Sequence, residues 1–138
     1  MNETFLLDTC VALYLIANEP ISSAGNSALN RSVDAGLPLL VSPVTGWEVG
    51  LLAKKGRFRS PMSPQRWLET LRGIAGIRFC ELSAEILMAS SFLPGFPYKD
   101  PADRIIAATA REFGYTVMTR DKALLDYGRE GHLSVLEC

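Results

Sequence analysis

The sequence is short of the residues that build most redox and zinc sites. Its three cysteines, Cys10, Cys80 and Cys138, are an odd number, widely spaced and without a CxxC pair. That excludes a disulfide framework and a structural zinc site, and it suits a reducing compartment. There is one histidine, His132, so a Ser–His–Asp triad would have to use it, and no serine nucleophile motif accompanies it. Positive charge is not in excess: 14 Lys and Arg against 15 Asp and Glu leave a net charge of −1. No global basic field advertises nucleic acid, although acids gathered at a metal site would pull the total down. Long hydrophobic runs are also missing. The best candidate, "FLLDTCVALYLIA", is interrupted by Asp8, preceded by Glu3 and lacks a basic leader, so it is a poor signal peptide and too short to span a bilayer. The expectation is a soluble, cytoplasmic chain with no membrane attachment.

What is present is 138 residues, 48% of them hydrophobic, enough for one domain with a real core. No linker, repeat or low-complexity stretch divides the chain, which we read as a single domain over residues 1–138. "TFLLD", "LPLLVS", "GIRFCEL", "YTVMT" and "LSVLE" read as short strands. Between them lie helical patterns: "CVALYLIAN", residues 22–35, "PVTGWEVGLLAKKG", "PQRWLETLRG", "SAEILMASSFL", a helix opened by Asp100 and Pro101, and "DKALLDYG". "RFRSPMS" and "PGFPY" are loops. Alternating strands and helices predict an α/β fold with a mostly parallel sheet and helices on both faces. Ligands in such folds bind beyond the carboxyl ends of the strands.

Four acids stand out. Asp8 closes the first strand and Asp121 follows the strand "YTVMT". Each could simply cap the helix after it. Asp103 sits near position N3 of its helix, where the dipole favours an acid, yet it aligns with Ile106, Ala107 and Ala110 on the apolar stripe. Glu48 lies mid-helix among Val44, Leu51 and Leu52. Two acids on apolar stripes plus two at strand ends suggest one shared anionic pocket. Carboxylates packed together must be relieved by protonation or by cations, and an all-oxygen donor set favours Mg²⁺ or Mn²⁺.

The stretches "LLDTCVAL", "SPVTGWEVGLLAKKG", "DPADRIIAATA" and "TVMTRDKALLDYG" resemble, in order, the blocks of the PIN domain, most closely the VapC-type toxins of bacterial toxin–antitoxin pairs. The resemblance implies a three-layer α/β/α sandwich with a five-stranded, mostly parallel sheet. It implies an Mg²⁺- or Mn²⁺-dependent endoribonuclease toxin acting on RNA, often a homodimer, neutralised by a cognate antitoxin. It places the catalytic, metal-holding acids at Asp8, Glu48, Asp103 and Asp121. Cys10 stands where the family more often has Asn or Ser, and Tyr98 and Lys99 where close relatives often carry His-Arg. Neither change touches an acid.

Other residues have two readings each. Thr9 and Thr119 could hold a water or a phosphate oxygen, or only make local turn bonds. Arg104 and Arg120 could meet RNA phosphate or an antitoxin carboxylate, or be solvated charges. Lys54, Lys55, Arg57 and Arg59 form the densest basic cluster, suited to an RNA backbone or to a helix end. Trp47 and Trp67 read as packing residues. Phe92, Phe96 and Tyr98 could offer an apolar surface to a partner. An antitoxin helix would anchor between the early helices near Leu13, Ile16 or Trp47 and send a cationic side chain to the acids. The competing functions are a non-catalytic PIN scaffold and a phosphotransferase resembling the haloacid dehalogenases with Asp8 as nucleophile, whose second expected acid is replaced by Cys10.

Overall fold

The computed structural model describes residues 3–138; the first two residues of the expected single domain lie outside the described ones. In chain order the elements are β1 Phe5–Leu7, α1 Thr9–Ala17, α2 Ser23–Asp34, β2 Leu39–Val41, α3 Val44–Lys54, α4 Pro64–Gly73 and β3 Ile77–Phe79. Then follow α5 Ala84–Ala89 with a 3₁₀ turn at Ser90–Phe92, α6 Pro101–Phe113, β4 Thr116–Thr119, α7 Lys122–Arg129 and β5 Ser134–Glu137. The five strands pair in the order β3-β2-β1-β4-β5, every pair parallel. The α/β reading of the sequence holds.

The pleat explains why the inner strands β1, β2 and β4 are buried throughout instead of alternating, while the edge strands β3 and β5 are partly exposed. Leu6, Leu40 and Val117 point to one side and pack with Ile106, Leu124 and Tyr127 of α6 and α7. Phe5, Leu7, Leu39, Val41 and Met118 point to the other and pack with Val11, Leu29, Trp67 and Leu71 of α1, α2 and α4. Both faces are covered, so both sets of side chains are buried. Helix α3 serves both cores, Val44 on one side and Val49 on the other, and packs against α4 and α6. That straddling position carries Glu48 to the end of the sheet.

Helix starts follow the sequence signals. Ser22, Ser63, Ser83, Asp100 and Asp121 each accept a hydrogen bond from a backbone N–H of the turn they cap. Pro64 and Pro101 occupy first turns, where a missing N–H costs nothing. Gly114 ends α6 at φ 73°, a left-handed cap that a side chain resists. Two readings differ in detail. The first strand stops at Leu7, because Asp8, whose N–H still donates to the Met118 carbonyl, turns its own carbonyl to the Val11 and Ala12 N–H groups of α1. Trp47, expected in the packing, is 49% exposed, whereas Trp67 is 1% exposed. Val44 and Val49 take the core-facing positions of α3 and leave Trp47 outside.

The seat of α7 on β5 is the tightest approach at a glycine. A Cβ at Gly128 would lie 2.9 Å from Val135 Cγ1 and closer still to Cγ2. Alanine for glycine in a helix normally gains about 1 kcal/mol, but overpacking costs about 1–3 kcal/mol. The β-branched Val135 cannot swing away cheaply, so Gly128→Ala should destabilise the fold in urea titrations. A Gly128→Ala protein more stable than wild type would contradict this packing.

Candidate metal and active site

The chain lays down β1, β2 and β3 outward, then returns to place β4 on the other side of β1. The reversal falls between β1 and β4, and loops diverging at such a switch point leave a crevice at the carboxyl ends. A cavity of about 350 Å³ opens there, lined by Asp8, Thr9, Glu48, Asp100, Asp103 and Asp121 among others. All four acids singled out in the sequence therefore face one cavity, delivered by β1, α3, α6 and the turn after β4.

Asp8 is the anchor. It is 5% exposed. Its Oδ1 accepts the Thr9 N–H at 2.8 Å, and its Oδ2 accepts the Thr119 hydroxyl at 2.7 Å. Thr119 Oγ1 in turn accepts the Asp121 N–H at 2.9 Å, so one threonine ties the two strand-end acids together. Burial pushes the Asp8 carboxyl up from the usual range; the bonds from Thr119 and Thr9 pull it back, and the Asp121 charge adds to the rise.

Glu48 is held from the opposite wall. The Thr9 hydroxyl donates to Glu48 Oε1 and lies 2.8 Å from Thr45 Oγ1. Thr9 has one proton and gives it to Glu48, so the fully buried Thr45 donates to Thr9. Burial raises Glu48 to about 7, against the lowering bond from Thr9, with Asp8, Asp100 and Asp121 adding repulsion. Asp103 rises further, to about 8, first by burial and then by Asp121, Asp100, Asp8 and Glu48, with no hydrogen bond offsetting these causes. Two carboxylic acids thus hold protons near neutral pH for want of positive charge.

The capping and site readings of the acids are both true. Asp121 uses Oδ2 to accept the Leu124 N–H at 3.1 Å and still lines the cavity. Asp100, which the sequence marks only as a cap, accepts the Ala102 N–H at 3.0 Å and joins the acidic wall. Asp100 and Thr45 are the residues that sequence reasoning missed. A signal existed for both, since each lies three positions from a predicted acid on the same helix, Asp100 before Asp103 and Thr45 before Glu48.

Thr9 and Thr119 both hydrogen-bond the acids. The two arginines separate. Arg120 lines the cavity, donates to the Pro20 carbonyl at 2.7 Å and lies 4.4 Å from the Tyr14 ring centre. Arg104 turns to the loop instead, bonding the carbonyls of Ser90 at 2.8 Å, Phe96 at 3.1 Å and Tyr98 at 2.7 Å. Its charge organises backbone and does not line the cavity. The Cys10 thiol is pushed up to about 12 by burial and by Asp8, so it is neutral here.

The donor set is carboxylate and hydroxyl oxygen, which fits Mg²⁺ or Mn²⁺ and fits soft metals poorly. Among the described residues no three Asp, Glu, His or Cys side chains already stand at ligand spacing, so the acids surround the cavity without closing on one point.

The raised acids carry a definite stability sign. The unfolded chain releases these protons near pH 4, whereas the folded state keeps them until about pH 7 at Glu48 and about 8 at Asp103. In between, the folded state binds more protons, so stability falls as pH rises through that window. Melting temperatures in EDTA should drop from about pH 5.5 to about pH 8, and Asp103→Asn should flatten the drop. A wild-type curve that rises over this range would contradict the protonated cluster.

The PIN domain family model matches residues 5–130 of the chain. The chain is 32% identical over 125 residues to Ribonuclease VapC22 of Mycobacterium tuberculosis, covering 88% of this chain and 89% of that protein. The fold is similar to that of DNA-bound VapBC from Salmonella typhimurium, with a TM-score of 0.67, 20% identity and 98% of each chain covered. It is also similar to that of a toxin–antitoxin complex from Klebsiella pneumoniae, with a TM-score of 0.60, 23% identity and 96% of each chain covered. With its fold, its acid-lined switch point and a family match over most of its length, the chain belongs to the PIN domain family.

Proposed function

We propose that the chain acts as a VapC-type toxin: an Mg²⁺- or Mn²⁺-dependent endoribonuclease, one domain over residues 1–138, that hydrolyses RNA phosphodiester bonds and is neutralised by a cognate antitoxin. The observation that carries this reading is the gathering of Asp8, Glu48, Asp103 and Asp121 around one cavity. The naming of its relative as a ribonuclease supports it.

Asp8, Glu48 and Asp103 would hold the cation, with Asp121 as a further ligand, direct or through water. Such a cation supplies Lewis acidity at the scissile phosphate. The chain's own residues set the geometry. Thr119 and the Thr9 amide fix the Asp8 carboxylate, and Thr45 acting through Thr9 fixes Glu48. Glu48 and Asp103 hold protons at their carboxyl oxygens near neutral pH and give them up when positive charge arrives. Lys54, Lys55, Arg57 and Arg59 supply cationic surface for the RNA backbone.

A cavity of about 510 Å³, lined by Leu13, Ile16, Leu52, Phe58, Met62 and Trp67 among others, adjoins the acidic one through Leu13, Tyr14 and Leu52. It suits an apolar helix of the antitoxin, with a cationic side chain reaching the carboxylates. That a toxin–antitoxin complex is among the similar structures supports such a partner. Leu87, Met88 and Phe92 stay exposed along α5 and the turn after it, an apolar face for a homodimer, while Phe96 is buried in the core. Among the described residues no helix is long and apolar enough to cross a membrane.

Purified protein should cleave single-stranded RNA in Mg²⁺ or Mn²⁺ and stop in EDTA. Asp8→Asn should lower the rate by at least about 100-fold, and Thr119→Val, which only unseats Asp8, by about 10- to 100-fold. Cleavage that survives EDTA, or an Asp8→Asn protein as active as wild type, would rule the reading out.

A further inference from the structure

Trp47 lies half exposed on α3, one residue before Glu48. It lines a separate cavity of about 270 Å³ with Glu48, Leu51, Lys55, Arg57 and Asp100. Glu48, Leu52 and Asp100 are common to this cavity and the acidic one, so the two form a continuous surface. The ion pairs among the described residues both engage Asp126, which leaves Lys55 and Arg57 without a carboxylate partner there. A large aromatic face flanked by free cations, next to a hydrolytic centre, has the make-up of a single-stranded nucleic-acid subsite.

We propose that Trp47 stacks one unpaired nucleobase of the RNA beside the scissile bond, with Lys55 and Arg57 meeting the phosphates of that nucleotide. The inference rests on the ribonuclease reading and deepens it. The cavity's charge sets the orientation: Asp100 repels the backbone, while Lys55 and Arg57 attract it and leave the base to the indole. The cavity is small, about 270 Å³, and offers a single indole face, which suits one base. A paired base already has both faces stacked in its helix, so the subsite selects single strands.

The chain has two tryptophans, and Trp67 is 1% exposed, so a change in indole emission on adding ligand reports Trp47. The probe is a fluorescently labelled RNA hexamer, titrated into Asp103→Asn protein, which removes one of the proposed cation-holding groups and blocks cleavage. Anisotropy follows binding and indole emission follows stacking. The hexamer should quench Trp47, and the same hexamer with abasic positions should not. Trp47→Ala should raise Kd roughly 5- to 160-fold, the span of one aromatic–base stack. Trp47→Phe should recover most of that loss, which a purely structural role for the indole would not predict. In the otherwise unsubstituted protein, Trp47→Ala should raise KM more than it lowers kcat. Hexamer binding without quenching, or with equal affinity in Trp47→Ala, overturns the base subsite and leaves the ribonuclease standing. No binding and no RNA cleavage by wild type overturns both.

Discussion

The structure turns on the difficulty of keeping several carboxylates close together and partly out of water. Desolvation and mutual repulsion push Asp8, Glu48 and Asp103 upward together, and hydrogen bonds relieve only Asp8 and Glu48. A fold under selection for stability alone would replace such groups with apolar ones of similar size. They come to one cavity at the switch point, each from a different element, and their raised carboxyls mark that cavity as short of positive charge.

The fold delivers these groups at little structural cost because each already has local work to do. Asp8, Asp100 and Asp121 cap helices, using the N–H groups that every helix start leaves unpaired. Asp103 sits in the first turn of α6, where the helix dipole offsets part of its charge. Two threonines at strand and helix ends then convert placement into orientation. Thr119 links Asp8 to the Asp121 backbone, and Thr9 connects Glu48 on α3 to the start of α1. The parallel sheet, buried on both faces, provides the rigid floor.

Much of this was legible in the sequence. Alternating strand and helix patterns fix the parallel sheet, and acids on apolar stripes announce a shared pocket. Caps and first-turn prolines place most helix starts. What was hidden depends on partners distant along the chain. Thr45 reads as an ordinary helical threonine until α3 meets α1 and sets it against Thr9. Asp100 looks complete as a cap, because its second role needs Glu48 and Asp121 nearby. Arg104 looks like a solvated or phosphate-seeking charge, and only the path of residues 90–98 around it reveals its carbonyl partners. Trp47 reads as core or half-buried packing, and Val44 and Val49 filling the two cores settle it as half exposed.

The acidic cavity also sits between two unlike neighbours, an apolar groove towards α1 and α4 and a smaller cationic-aromatic hollow along α3. The proposed function assigns the apolar side to a partner protein and the cationic-aromatic side to a nucleic acid. Its centre is the claim that these acids trade protons for a divalent cation. The direct measurement is titration calorimetry with Mn²⁺ at about pH 7 in two buffers of different ionisation enthalpy, which counts the protons released on binding. The account predicts saturable binding with net proton release that shrinks in Asp103→Asn and by about pH 9, where the acids are already ionised. Binding with no proton release at pH 7, or no binding at all, would contradict it.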